Sequence, residues 1–142
     1  MGISGMMHGY LAFDTAGNLL VPFRTWRNNT TGEAAEELTR MLAFNIPERW
    51  SVAHLYQALL SGETHVAQVD YMTTLSGYIH WKLSGEKVLG IDDASGMFPI
   101  DPATGTYDMG MLKIFSGLSA AAALPKNLAD ILPRVCTAGQ AA

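Results

Sequence analysis

The chain has 142 residues, of which 49% are hydrophobic and 15% charged. That is the size of one domain or a large piece of one, and it is too apolar for a disordered chain. Asp and Glu outnumber Lys and Arg 13 to 9, for a net charge of −4, and there is no cationic cluster of the kind that nucleic acid requires.

The first elements are built around turns. Residues 3–13 carry Ile3, Met7, Tyr10, Leu11 and Phe13 in loose alternation, and Asp14-Thr15-Ala16-Gly17-Asn18 is a turn cluster. A β-hairpin is expected, residues 10–13 against 19–23. Pro22 has no N–H to give a ladder, so its strand belongs at an edge. Asn28-Asn29-Thr30-Thr31-Gly32 suits a loop or helix cap. Glu33, Ala34, Ala35, Leu38, Met41 and Leu42 then follow a helical period with an acid in the first turn. That helix should end near Phe44-Asn45, before Pro47.

A second helix is expected over residues 51–60, with Val52, Leu55, Tyr56, Leu59 and Leu60 as its apolar stripe. A short helical end then leads into a strand at residues 71–73, and a third helix spans 75–83. Gly85 is placed to cap that helix at its C-terminus. Residues 90–96 read as a loop with two adjacent acids. Asp101-Pro102-Ala103-Thr104-Gly105 reads as a turn before a helix over 109–115. An Ala-rich stretch and a short helix at 127–132 complete the pass. No apolar run is long enough to cross a bilayer, and the first residues lack the basic flank and apolar segment of a signal peptide.

Three segments carry residues suited to chemistry. In Gly5-Met6-Met7-His8-Gly9 an imidazole sits between glycines that allow close backbone approach. His8 can donate from one ring nitrogen and accept at the other, or it can be a structural group in an apolar setting. In Glu48-Arg49-Trp50-Ser51 a fork of donors adjoins a flat apolar ring. That pair reads either as a binding wall or as a surface arginine over a buried aromatic. In Ile91-Asp92-Asp93-Ala94-Ser95-Gly96-Met97 the carboxylates suit acid–base work or a divalent cation, or simply a helix cap or Asx turn.

Other chemistries lack their signatures. His54, His65 and His80 are spaced unlike zinc ligands, so no metal site is expected. There is no nucleophile elbow and no phosphate-binding glycine loop. The single cysteine, Cys136, has no partner for a disulfide or a metal knuckle. A reducing cytoplasm is the expected home. The low charge fits either an apolar surface covered by another domain or chain, or a small enzyme with a large core.

Taken in order, these segments resemble the FGGY family of carbohydrate kinases, most of all its xylulokinase-like members. Residues 2–9 are similar to that family's Gly-x-Ser/Ala-Gly-Gln-Met-His-Gly loop, with Met6 in place of Gln. The hairpin through Trp26 is similar too, although Trp26-Arg27-Asn28-Asn29-Thr30 departs from the family's Trp-Asn-Asp-x-Arg. Glu48-Arg49-Trp50-Ser51 resembles an Arg-Phe-Thr segment. Residues 71–85 resemble a strand and Tyr-rich helix, ending here in Leu83-Ser84-Gly85. Asp92-Asp93-Ala94-Ser95-Gly96-Met97 resembles Ser-Asp-Ala-Ser-Gly-Thr.

The resemblance implies an α/β fold, an incomplete ribonuclease H-like (actin-like ATPase) domain with a β-hairpin and several helices. On this basis residues 1–142 are part of an N-terminal sugar-binding domain, and the nucleotide-binding C-terminal domain is absent. The opening inside a strand-to-loop turn and the small-residue end give the same expectation of a fragment. ATP and Mg²⁺ are cofactors of the parent enzyme, with none expected on this chain alone, and the substrate is a pentulose-like sugar. Met7, His8, Arg49 and Asp93 are the implied sugar contacts, and no catalytic residue lies in the chain. The alternative is a non-catalytic sugar-binding or oligomerising module, forming a homodimer through an open sheet edge. Neither nucleic acid nor membrane is an expected partner.

Overall fold

The computed structural model describes residues 2–141. β1 (Leu11–Phe13) is the first strand, and the turn after it is made by Asp14, whose Oδ1 accepts from the N–H groups of Ala16 and Asn18 at 2.9 Å each. The returning leg pairs as expected but irregularly. Phe13 bridges Leu19, Tyr10 bridges Arg24, and Leu20 N–H donates to Ala12 O at 2.9 Å. Pro22 lies between those contacts and offers no N–H, so the leg never becomes a continuous strand. The other edge of β1 is taken by β2 (Tyr71–Thr73), antiparallel, with Leu11 opposite Thr73 and Phe13 opposite Tyr71.

α1 (Gly32–Leu42) and α2 (Ser51–Leu60) pack together through Ala34, Ala35, Leu38 and Leu42 on one side and Val52, Leu55, Tyr56 and Leu59 on the other. Thr31 stands at the expected N-cap, but its hydroxyl donates to Glu48 O at 2.6 Å. Gln57, from α2, accepts from Ala34 N–H instead, at 3.2 Å. A tertiary contact thus satisfies an end that local chemistry leaves open. The first N–H groups of α2 are also satisfied from afar: Ser51 N–H donates to Gly96 O and Val52 N–H to Met97 O, at 3.3 and 3.1 Å.

A 3-10 turn (Thr64–Gln68) precedes β2, and α3 (Leu75–Ser84) follows it. Thr74 caps α3 through Oγ1, which accepts from Gly77 N–H at 3.1 Å, and Gly85 ends it at φ 80°. The stretch expected as a loop over 90–96 is instead β3 (Val88–Gly90) running into α4 (Ile91–Ala94). Gly90 is the extended N-cap, and Asp92 and Asp93 fill the first turn, where the exposed N–H groups favour acids. β4 (Ile100–Asp101) and β5 (Thr106–Tyr107) form the small hairpin around the expected turn, with α5 (Met109–Ser116) capped by Asp108. After a second 3-10 turn (Ser119–Ala123) and α6 (Leu128–Ile131) comes β6 (Arg134–Cys136), a strand that local pattern does not announce. It pairs parallel with β3.

Among the described residues the strands therefore form three separate pairs, β1–β2, β3–β6 and β4–β5. One continuous core runs through Tyr10, Leu38, Leu55, Met72, Met97, Phe98, Phe115 and Ile131, and a smaller aromatic cluster joins Phe13, Tyr71, Tyr78 and Trp81. Among the described residues, no helix is long and apolar enough to cross a membrane.

Candidate functional site

Three segments far apart in sequence meet at Gly96. The bend at Met7 and His8 comes first. Gly9 ends it at φ 132°, a conformation L side chains rarely adopt, and a Cβ there would lie 2.7 Å from the Phe23 ring. Ser51, at the start of α2, donates from Oγ to Gly9 O at 2.6 Å and so ties the bend to that helix. Arg49, two residues earlier and exposed, donates from Nε to His8 Nε2 at 3.1 Å. Gly96, just after α4, closes the arrangement from the third side. A Cβ at Gly96 would stand 2.8 Å from His8 Nδ1 and 3.1 Å from Met7 O. Only a glycine allows this approach.

The Arg49 contact assigns the His8 tautomer. Arginine can only donate, so Nε2 is the acceptor and Nδ1 carries the proton. Nδ1 is buried and has no hydrogen-bond partner. Burial, and then the Arg49 charge, lower the His8 pKa below the ordinary 6.5. The Gly96 backbone and the Asp93 carboxylate oppose them. His8 is therefore neutral near pH 7, with its acceptor nitrogen engaged by Arg49 and its donor nitrogen buried.

Asp93 lies half-buried in α4 and accepts a hydrogen bond from Ser76 Oγ at the start of α3. Ser76 Oγ is also 3.1 Å from Thr74 Oγ1. Asp93 and Ser76 rim a cleft of about 270 Å³ that Ile3, Gly90, Cys136 and Thr137 also line, at the carboxyl ends of the parallel strands β3 and β6. Asp92 is exposed.

The structure thus brings His8 and Arg49 into direct contact and sets Asp93 near enough for its charge to act on His8. Met7 contributes its backbone to the approach at Gly96. Ser51, Ser76 and Gly96 belong to the same arrangement. Their local signals, two helix starts and a glycine after an acidic turn, give no hint of their long-range partners. His54 and His65, on α2 and the first 3-10 turn, converge on Tyr10 rather than on a metal. Among the described residues, no three His, Cys, Asp or Glu side chains lie close enough to hold an ion.

No family model matches the sequence, and no curated protein is significantly similar to it. Solved structures do share its fold. A xyloylose kinase from Brucella ovis superposes at a TM-score of 0.79 with 19% identity, over 100% of this chain and 29% of that one. A xylulose kinase from Rhodospirillum rubrum gives 0.73 and 21%, over 92% and 27%. A gluconate kinase from Lactobacillus acidophilus gives 0.72 and 18%, over 94% and 27%. The chain carries the fold of a part of a sugar-kinase domain, as the ordered motifs imply, and spans under a third of the length of these three structures.

Proposed function

We propose that this chain is the sugar-holding portion of a carbohydrate kinase that phosphorylates a pentulose-like sugar. The observation that supports it most is the convergence of His8, Arg49 and Asp93 around Gly96. They supply a neutral imidazole, a guanidinium with unused donors and a carboxylate acceptor. That mixture suits a neutral polyol, whose hydroxyls both give and take hydrogen bonds.

The residues present do not fit a nucleotide or its metal. The sequence has no phosphate-binding glycine loop, and the described residues offer no ion cage. Phosphoryl transfer needs both charge stabilisation and positioning, and this chain is suited to positioning alone. In a coupled assay with xylulose, ATP and Mg²⁺ the isolated chain should show no turnover above buffer. Measurable turnover would contradict this division of labour.

A second reading, a self-associating module, has one observation in its favour. Among the described residues β3 and β6 pair only with each other, and a short strand with an open edge is a template for another. Light scattering after size exclusion would give a dimer mass on this reading and a monomer mass against it.

A further inference from the structure

Beneath the His8 bend lies a closed circuit of contacts, none of which reaches the proposed sugar face. Tyr10 is fully buried. Its N–H donates to Arg24 O at 2.8 Å, and its carbonyl accepts from Arg24 N–H at 3.3 Å. The Arg24 guanidinium grips Glu63 with two hydrogen bonds, 3.0 and 2.6 Å. Glu63 Oε2 lies 3.3 Å from His65 Nδ1. His65 Nε2 lies 2.9 Å from Tyr10 Oη, which closes the circuit. Arg24 also sits over the Tyr10 ring at 5.7 Å, and His54 stacks on that ring at 6.3 Å.

The proton placement follows from the partners. Glu63, held as a carboxylate by Arg24, can only accept, so His65 keeps its proton on Nδ1 and accepts from the Tyr10 hydroxyl at Nε2. Every group has one role. A full circuit of this kind holds its members in one geometry, while a broken one leaves a buried polar atom unpaired.

Tyr10 is also two residues from His8, joined through Gly9, where there is no room to adjust. Gly9 is walled by Phe23 and Arg24 O and clamped by Ser51, which lies one helical turn before His54 on α2. The circuit and the clamp therefore share the anchor of the bend. We infer that Tyr10 and His65 are positioning residues for His8, setting the direction in which its imidazole meets Arg49 and a ligand. Neither touches the ligand, and the inference rests on the reading of the His8 bend as a sugar contact.

The test needs no sugar, so it can fail separately from that reading. Tyr10→Phe removes only the hydroxyl. Two-bond ¹⁵N–¹H spectra of the imidazoles report the tautomer and pKa of His8 directly. In the unaltered chain His8 should be overwhelmingly the Nδ1–H form and titrate below 6.5. In Tyr10→Phe its tautomer ratio should fall about tenfold, the scale of one lost hydrogen bond, and its pKa should move back toward 6.5. If Tyr10→Phe does not fold, Glu63→Gln, altered at a partly exposed position, should shift the same signals in the same direction. A variant that only lowers the melting temperature, with His8 tautomer and pKa unchanged, would overturn the inference. Failure of sugar to perturb His8 in the unaltered chain would count against the proposed function and leave the positioning role standing.

Discussion

The seat under the His8 bend and the rim above it are built on opposite plans. The seat is dry. Tyr10, His54 and His65 are buried, and Tyr10 and His65 take part in a circuit that leaves neither of their facing atoms unpaired. The rim is wet. Arg49 is exposed, His8 and Asp93 are half-buried, and their contacts are single hydrogen bonds. Burial multiplies the cost of losing a polar partner. The same chemical change should therefore cost stability in the seat and ligand contact on the rim.

The largest break in that contrast is Tyr10→Ala. It empties a fully buried aromatic site and strands His65 Nε2, and should cost about 3–5 kcal/mol in urea unfolding. A cost under about 1 kcal/mol would mean that the seat is not the anchor described.

Acid comes next. Burial, then the Arg24 charge, push the His54 pKa from 6.5 down to about 4. Above pH 6.5 the folded and unfolded chains are both neutral at this site. Between 6.5 and 4 the unfolded chain takes up a proton that the folded chain refuses, so stability falls as pH falls, and the loss levels off below 4. The loss is about 3 kcal/mol. His65 and His8, also lowered, add to it in the same direction from 6.5 downward. His54→Phe keeps a ring against Tyr10 and discards an Nε2 that has no partner. It should remove most of the slope while leaving stability near pH 8 within about 1 kcal/mol. An unchanged slope would place the acid sensitivity elsewhere.

Gly96→Ala tests the rim. Its methyl would meet His8 Nδ1 at 2.8 Å and Met7 O at 3.1 Å. The expected cost is about 1–3 kcal/mol, together with a displaced His8 ¹⁵N signal. A native-like signal would mean that the approach at Gly96 does not fix His8. Arg49→Ala is the smallest in stability, within about 0.5 kcal/mol, yet it frees His8 Nε2 and should raise the His8 pKa in an imidazole titration. A larger stability loss would make Arg49 structural rather than part of the rim.

Helices and turns were largely legible in the sequence, because their signals are local. The period from Ala34 to Leu42, the stripe from Val52 to Leu60, the Asp14–Asn18 turn and the Gly85 stop all need only near neighbours. β6 was not, since Arg134-Val135-Cys136 becomes a strand only by meeting Val88–Gly90. The acidic stretch at 92–93 read as a loop, and its short helix follows from an extended Gly90 that pairing with β6 supports. Of the site, His8, Arg49 and the acids at 92–93 stand out by their own chemistry, each beside a structural alternative, and motif order is what joins them. Their shared neighbour Gly96 and the hydroxyl ties of Ser51 and Ser76 span 17 to 42 residues, beyond any local rule. The circuit from Arg24 through Glu63 and His65 to Tyr10 gave no sequence signal, since only Glu63 and His65 are near neighbours, while the links from Arg24 to Glu63 and from His65 to Tyr10 span 39 and 55 residues.

On the proposed function, His8, Arg49 and Asp93 form one sugar-contacting face. A titration of the ¹⁵N-labelled chain with xylulose into the range of about 50 mM addresses this, because a shallow face that leaves most of a small ligand exposed should bind no tighter than about millimolar. Concerted, saturating shifts of the His8 imidazole, the Arg49 Nε and the Asp93 amide are expected, all lost in His8→Ala. Shifts confined to Cys136 and Thr137 in the 270 Å³ cleft, with His8 and Arg49 unmoved, or no saturating shift at all, would contradict it.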